Sequence, residues 1–203
     1  MHRHRLVALT NPGHFNRNSI TITGASDTGK LVSTVVRPAA LAQALTNTTF
    51  CDISDMCEMF GCDLPTLLPF GPRMHFSTAW QHKLVIDSDG WGPSGRWRAL
   101  MESGSLALRS SAYREWFVPL MVPWVHYVPV SVGLAELWAI LGYFIGAPAG
   151  AGSDGEPMVA HDDEARQISE AGQKWTAEHF RRCVHPLSNS RPAIAIDALA
   201  GST

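Results

Sequence analysis

Charge of either sign is scarce in this chain of 203 residues, and so is any long apolar run. Lys and Arg number 16 against 18 Asp and Glu, a formal net charge of −2. Without a basic face there is nothing to neutralise a run of phosphodiesters, which excludes nucleic acid as a partner. The same balance gives no attraction to an anionic membrane surface. The most apolar region, 116–146, is broken by Pro119, Pro123 and Pro129 and carries His126 and Glu136. It therefore lacks the roughly 20 uninterrupted apolar residues of a membrane span. The opening "MHRHRLVAL" has basic residues but no apolar run of sufficient length behind them, so no signal peptide is read there.

Other absences narrow the chemistry. The four cysteines, Cys51, Cys57, Cys62 and Cys183, include no C-x2–4-C pair, which removes the common zinc modules. A short disulfide among the first three and a set of buried free thiols both stay open. Asn47 begins an Asn-Thr-Thr glycosylation sequon, in keeping with a secretory setting. The nine histidines form no H-E-x-x-H pattern, no Gly-x-Ser-x-Gly elbow occurs, and no internal repeat is visible. Hydrolase and metalloenzyme readings have no support.

What is present is ordinary globular usage, 45% apolar and 17% charged residues, enough for one sizeable domain. Residues 4–46 alternate the short apolar runs "RLVAL", "SITITG" and "LVSTVVR" with turn residues and end in a helical patch, "PAALAQAL". Residues 47–80 are rich in Cys, Pro and Gly and read as irregular surface structure. "KLVIDSD" (83–89) has the form of a buried parallel strand meeting its C-terminal loop. "GRWRALMESG" predicts a short helix stopped by Gly104, "SLALR" the next strand, "AYREWFVPL" another helix and "WVHYVPV" (124–130) a third strand. "LAELWAILGYFIG" (134–146) predicts a helix apolar on most of its circumference, largely buried or covering a partner. "APAGAGSDGEP" reads as a flexible loop. "HDDEARQISEAGQKWTAEHF" (161–180) is the clearest helix, with Asp162 and Asp163 at its positive end and a stripe of Ala165, Ile168, Ala171 and Trp175. This alternation of strand and helix predicts an α/β domain, a Rossmann-like parallel sheet whose strand ends form a binding edge.

Three segments invite functional readings. "GASDTGKL" (24–31) spells G-x4-G-K, but Leu31 stands where a phosphate loop needs Ser or Thr for Mg²⁺, so it is set aside. Asp87 and Asp89 could hold Mn²⁺ or Mg²⁺ and through it a diphosphate, since hard cations want carboxylate oxygens. An acidic turn closing a strand is the plainer reading, and no metal is expected there. "GWGPSGR" differs in kind. Gly90, Gly92 and Gly95 let backbone N–H groups come close to a ligand. Ser94 can donate a hydrogen bond, and Arg96 stands at a helix start, where both guanidinium and dipole favour phosphate. Arg96 and Arg98 on one first turn are unfavourable unless an anion sits nearby.

At this loop the chain resembles a known family. Lys83, Asp87, Asp89-Gly90, Ser94-Gly95-Arg96-Trp97, Gly104-Ser105, Glu115-Trp116-Phe117 and Pro123 to Val130 follow the core signature of the capsule-associated-protein glycosyltransferases, family 90. That family includes fungal capsule xylosyltransferases and the Rumi protein O-glucosyltransferases. The later "HDDEARQISEAGQKW" matches its "HD-x-x-A…I…G" helix, and the resemblance runs over roughly residues 3–182. Three departures stand out. Pro93 replaces a tryptophan, "MHRHRLVAL" falls just after the family's phosphate-contacting Trp-Arg-Gly stretch, and the sequence after Arg182 goes elsewhere.

The resemblance implies a GT-B fold of which 1–182 is the donor-binding C-terminal half, followed by a divergent, disordered tail at 183–203. It implies inverting transfer of a UDP-linked xylose or glucose to a hydroxyl of a glycan or protein, with UDP-sugar as donor and no cofactor required. Ser94, Gly95 and Arg96 would face the diphosphate, Asp89 and Gly90 would shape the loop, and Glu115 is the candidate for the ribose hydroxyls. The catalytic base would lie in an N-terminal half, so this chain alone is expected not to be a competent catalyst. A Golgi or ER lumen is implied by the resemblance, and the cytosol by the chain as written. The alternatives are a non-catalytic nucleotide-sugar-binding fragment and a plain α/β interaction domain.

Overall fold

A computed structural model of the chain describes residues 2–11, 19–26, 28–48, 68, 70–72, 75–90, 92–147 and 158–180. The expectations for most of 47–80, for the four cysteines and for the tail from 183 lie outside these residues.

The chain runs helix α1 (His2–Leu9), strands β1 (Ile20–Ala25) and β2 (Leu31–Val36), helix α2 (Pro38–Leu45) and strand β3 (Leu84–Ser88). It continues as α3 (Trp97–Glu102), β4 (Leu106–Ser110), β5 (Val128–Pro129), α4 (Leu137–Ile145) and α5 (Asp162–His179). Strands β3, β4 and β5 form a parallel sheet in that order. The alternation read between 83 and 180 is thus an α/β unit with its strand ends on one edge.

Period-two alternation gives this sheet a core on each face. Leu106, Leu108 and Val128 face one cluster with Leu137, Leu141 and Phe144 of α4. Val85, Ala107 and Tyr127 face a second, with Trp97, Leu100 and Met101 of α3 and Trp175 of α5. All five residues of β4 are buried, as a central strand covered on both faces must be. Each large apolar side chain removed from water here contributes on the order of 1.5–3 kcal/mol.

The N-terminal apolar runs behave differently from the rest. "RLVAL" lies in helix α1, and β1 and β2 form an antiparallel hairpin separate from the parallel sheet. The G-x4-G-K segment is its turn: Ser26 N–H donates to Lys30 O and Gly29 N–H to Ser26 O, both at 2.9 Å, with Gly29 at φ +74°. Ile22 and Val36 of the hairpin join Leu41 of α2 against α4. This is why α4 can be apolar nearly all round.

Two further expectations are corrected. "AYREWFVPL" forms only a 3-10 turn, Val118–Leu120, because Pro119 supplies no N–H and the next proline follows at 123. The strand expected over 124–130 pairs regularly only at Val128 and Pro129, because the residues before them fold into a turn, with Trp124 at φ +65° donating its N–H to the Tyr127 carbonyl at 2.7 Å. On α5 the buried line is Ala165, Ser169, Gly172, Trp175 and Thr176, so small polar residues replace part of the expected apolar stripe. Gly172 is where α5 touches the His126 carbonyl. Lys83 ties the start of β3 to the Phe144 carbonyl at the end of α4 and to Asp162 at the start of α5. Among the described residues no helix is long and apolar enough to cross a membrane.

Candidate functional site

Strand β3 delivers Asp87, Ser88 and Asp89 to the C-terminal edge of the parallel sheet, all three buried. Asp87 lies on the same sheet face as Val85, and in parallel register its neighbour on β4 is Arg109. Its Oδ1 accepts the Ser94 hydroxyl at 2.5 Å and Nη2 of Arg96 at 3.2 Å, while Oδ2 lies 3.7 Å from Nη1 of Arg109. Burial pushes the Asp87 carboxyl above its ordinary range, and Ser94, Arg96 and Arg109 pull the other way.

Asp89 points elsewhere. Its Oδ1 accepts from the Ser111 hydroxyl at 2.8 Å and its Oδ2 from the Ala112 N–H at 2.6 Å, tying this loop to the one after β4. The Asp-x-Asp pair is therefore divided between two bracing tasks. Among the described residues, no group of three His, Cys, Asp or Glu could hold a metal ion.

Ser94 is the centre of the loop. Its buried hydroxyl donates to Asp87 and accepts from the Arg96 N–H at 3.4 Å and from Arg96 Nε at 3.3 Å. The proton expected to go to a ligand goes to Asp87 here, so Ser94 shapes the loop from inside. Gly90 N–H donates to Gly92 O at 3.2 Å, which closes the turn, and Gly95 is exposed. Arg96 also donates from Nη2 to the Ser88 carbonyl at 3.2 Å. Its side chain is 42% exposed, and its Nη1 has no acceptor among the described residues. Helix α3, which Arg96 opens, has six residues, so its dipole is short and the guanidinium is the larger local positive charge. Arg98 is committed to Glu102 at 2.8 Å along the outside of that helix.

Glu115 does not open a helix. It precedes the 3-10 turn, where its carbonyl accepts from Val118 N–H at 3.1 Å, and its Oε2 pairs with Arg109. Arg109 is buried between the Trp97 ring, 4.8 Å from its guanidinium carbon, and the Phe117 ring at 5.1 Å. A chain of charges, Arg96–Asp87–Arg109–Glu115, thus connects the two sequence-expected ends of the site. Oε1 of Glu115 faces no acceptor or donor among the described residues.

Two members of this cluster escaped sequence reading. Arg109 is the last residue of the strand read in "SLALR", and nothing in the sequence names its partner in register. Arg3 comes from α1, where its Nε donates to the Ser88 carbonyl at 3.2 Å, and the only signal was a run of basic residues before an apolar one.

A family model described as glycosyl transferase family 90 matches residues 71–183, which takes in β3 to α5 and omits α1, β1, β2 and α2. The stretch is narrower at its start than the resemblance read from residue 3. A protein named O-glucosyltransferase rumi homolog from Aedes aegypti is 33% identical over 104 residues, 50% of this chain and 22% of that protein. Protein O-glucosyltransferase 1 of Homo sapiens is 26% identical over 114 residues, 56% of this chain and 26% of its own length. Protein O-glucosyltransferase 2 of Danio rerio is 28% identical over 113 residues, 55% and 20% respectively. The chain spans about a quarter of the length of these relatives.

Proposed function

The chain belongs to glycosyl transferase family 90, and from that premise we propose that it is the donor-binding part of a GT-B-type glycosyltransferase. Its ligand is a UDP-sugar, xylose or glucose, held for inverting transfer to a hydroxyl of a glycan or protein. The observation that carries the reading is the loop 88–96, which ends a buried parallel strand and presents the outer edge of Arg96 beside the exposed backbone of Gly95. Strand ends of such sheets are where phosphorylated ligands dock.

In this reading Arg96 and the Gly95 backbone face the diphosphate and offset the charge that grows on departing UDP. Ser94, Asp89 and Gly90 hold the loop, and Oε1 of Glu115 takes the ribose hydroxyls, its other oxygen being fixed by Arg109. No residue here is assigned as the base that deprotonates the acceptor, and the reading requires no cofactor. The relatives' names support glucosyl transfer to protein; the ER or Golgi lumen is the setting that the family resemblance implies.

The experiment is calorimetric titration of the chain with UDP, beside Arg96→Ala, with and without Mn²⁺. Binding that Arg96→Ala abolishes and Mn²⁺ leaves unchanged is the expected result. One observation favours the plain α/β alternative: Asp87 already serves Arg96 as counter-ion. If a folded chain shows no UDP binding, that alternative replaces this one.

A further inference from the structure

The turn that leads into β5 closes on a ring nitrogen of histidine. Val122 N–H donates to Nδ1 of His126 at 2.9 Å, and His126 N–H donates back to the Val122 carbonyl at 3.0 Å. Inside this reciprocal pair Trp124 stands at φ +65°, a left-handed conformation that a bulky side chain keeps only where its surroundings impose it. Val122, His126 and Tyr127 supply the contacts that do so, the last by accepting the Trp124 N–H at 2.7 Å.

An imidazole accepts at Nδ1 only while that nitrogen carries no proton, so the closed turn requires the neutral ring with its proton on Nε2. A proton from water turns this acceptor into a donor aimed at the Val122 N–H. The charged surroundings oppose that proton. Helix α5 supplies Gly172 at the His126 carbonyl, the Trp175 ring 6.1 Å from the His126 ring, and His179 stacked on Trp175 at 4.4 Å. Strand β4 supplies Arg109, which acts on Tyr127 next to it. Both neighbouring charges are basic, and burial first, then His179, lower the His126 ionisation from the usual 6.5.

What the turn holds reaches the site. Tyr127 meets the Trp97 ring edge-on at 5.5 Å, and Trp97 carries the Arg109 guanidinium on its face at 4.8 Å. Arg109 in turn stands beside Asp87.

We propose that His126 is a pH-sensitive latch: its neutral ring keeps the turn 122–127 closed, and a proton on Nδ1 releases the Val122 N–H, frees Trp124 from its left-handed conformation and slackens the rings around Arg109. The latch is independent of what the loop 88–96 binds. The unfolded chain takes up this proton near the usual value and the folded chain resists it. The contribution to stability is therefore fully present above pH 6.5 and is lost as pH falls through the lowered value.

The test is nuclear magnetic resonance of the full chain over roughly pH 5 to 8, with thermal melts alongside, in the wild type, His126→Asn and His179→Gln. Asparagine places Oδ1 where Nδ1 stood and does not titrate, so it keeps the acceptor and removes the switch. In the wild type the Val122 amide and Trp97 indole N–H signals should move with the His126 ring, at a midpoint below 6.5. In His126→Asn both signals should hold their neutral-pH positions, and the melting midpoint should fall less on acidification. His179→Gln removes a basic neighbour and should raise the His126 midpoint toward 6.5. A wild-type midpoint at or above 6.5 would overturn the inference, because the fold would then favour the proton. So would a Val122 or Trp97 signal that ignores the His126 titration, or one that still titrates in His126→Asn. If His126→Asn does not fold, the wild-type midpoint and its rise in His179→Gln decide alone.

Discussion

Asp87 and Arg109 stand side by side in register on the parallel strands β3 and β4, an acid and a base placed in the sheet as cross-strand neighbours. Their nearest charged atoms are 3.7 Å apart, and Arg109 is only 5% exposed, held between two aromatic rings. Removing one member of such a pair leaves the other charge buried. Arg109→Met should therefore destabilise the fold by about 3 kcal/mol, the low end for a broken buried pair, because Arg96 still serves Asp87. Urea unfolding measures it. Adding Asp87→Asn to Arg109→Met should restore part of the loss, and purely additive costs would show that the two residues are not coupled.

Glu115 gives a prediction that separates nucleoside from phosphate. If Glu115 takes the ribose hydroxyls as proposed, Glu115→Gln should weaken UDP by roughly 5- to 50-fold while leaving inorganic diphosphate within about twofold. Calorimetry with the two ligands decides it. A parallel loss on both would assign Glu115 to the charge chain through Arg109 instead.

Tyr143 supplies a pH dependence at the alkaline end. Its hydroxyl donates to Glu164 at 2.6 Å, and that hydrogen bond, then burial, pushes its ionisation up to about 12 from the usual 10. Between those values the unfolded chain has lost a proton that the folded one keeps, so stability falls as pH rises through this window. Below the ordinary tyrosine value the contribution is fully present. Burial also raises Tyr127, so ultraviolet titration of tyrosinate should show more than one late phase, of which the latest moves down in Glu164→Gln; if no late phase moves, the assignment fails.

Gly172 tests packing. A β-carbon there would run into the His126 carbonyl and press on the Met101 side chain. Backbone cannot yield as a flexible side chain can, so Gly172→Ala should cost about 2 kcal/mol or more despite its better helix propensity. Thermal melting would register the drop, and a raised midpoint would mean that α5 shifts without cost.

The parts of this fold that were legible in the sequence are those whose burial is periodic. β3, α3, β4, α4 and α5 each carry a hydrophobic rhythm and a stop, such as Gly104 at φ +84° after α3. Legibility failed where a proline outweighed the rhythm, as in the 3-10 turn at Val118–Leu120, and where residues too small to look apolar formed the contact, as on α5. In the site, the loop at 88–96 announced itself through glycines and a basic helix start. The destination of its side chains did not. Ser94 turns back to Asp87 within the loop, Arg109 stands beside Asp87 across two strands, and Arg3 reaches Ser88 from 85 positions away, so each is decided by how the chain folds back on itself.

The span from Arg3 to Ser88 also has a kinetic meaning. Closing so long a segment carries an entropy cost that helix α3 and its flanking strands, built from near neighbours, do not bear. The β3–α3–β4 unit can form early, while the Ser88 carbonyl gains its contact from Arg3 only once α1 has docked. The end of β3 is thus tied down by the last part of the molecule to be assembled, and loosening α1 would be felt there first.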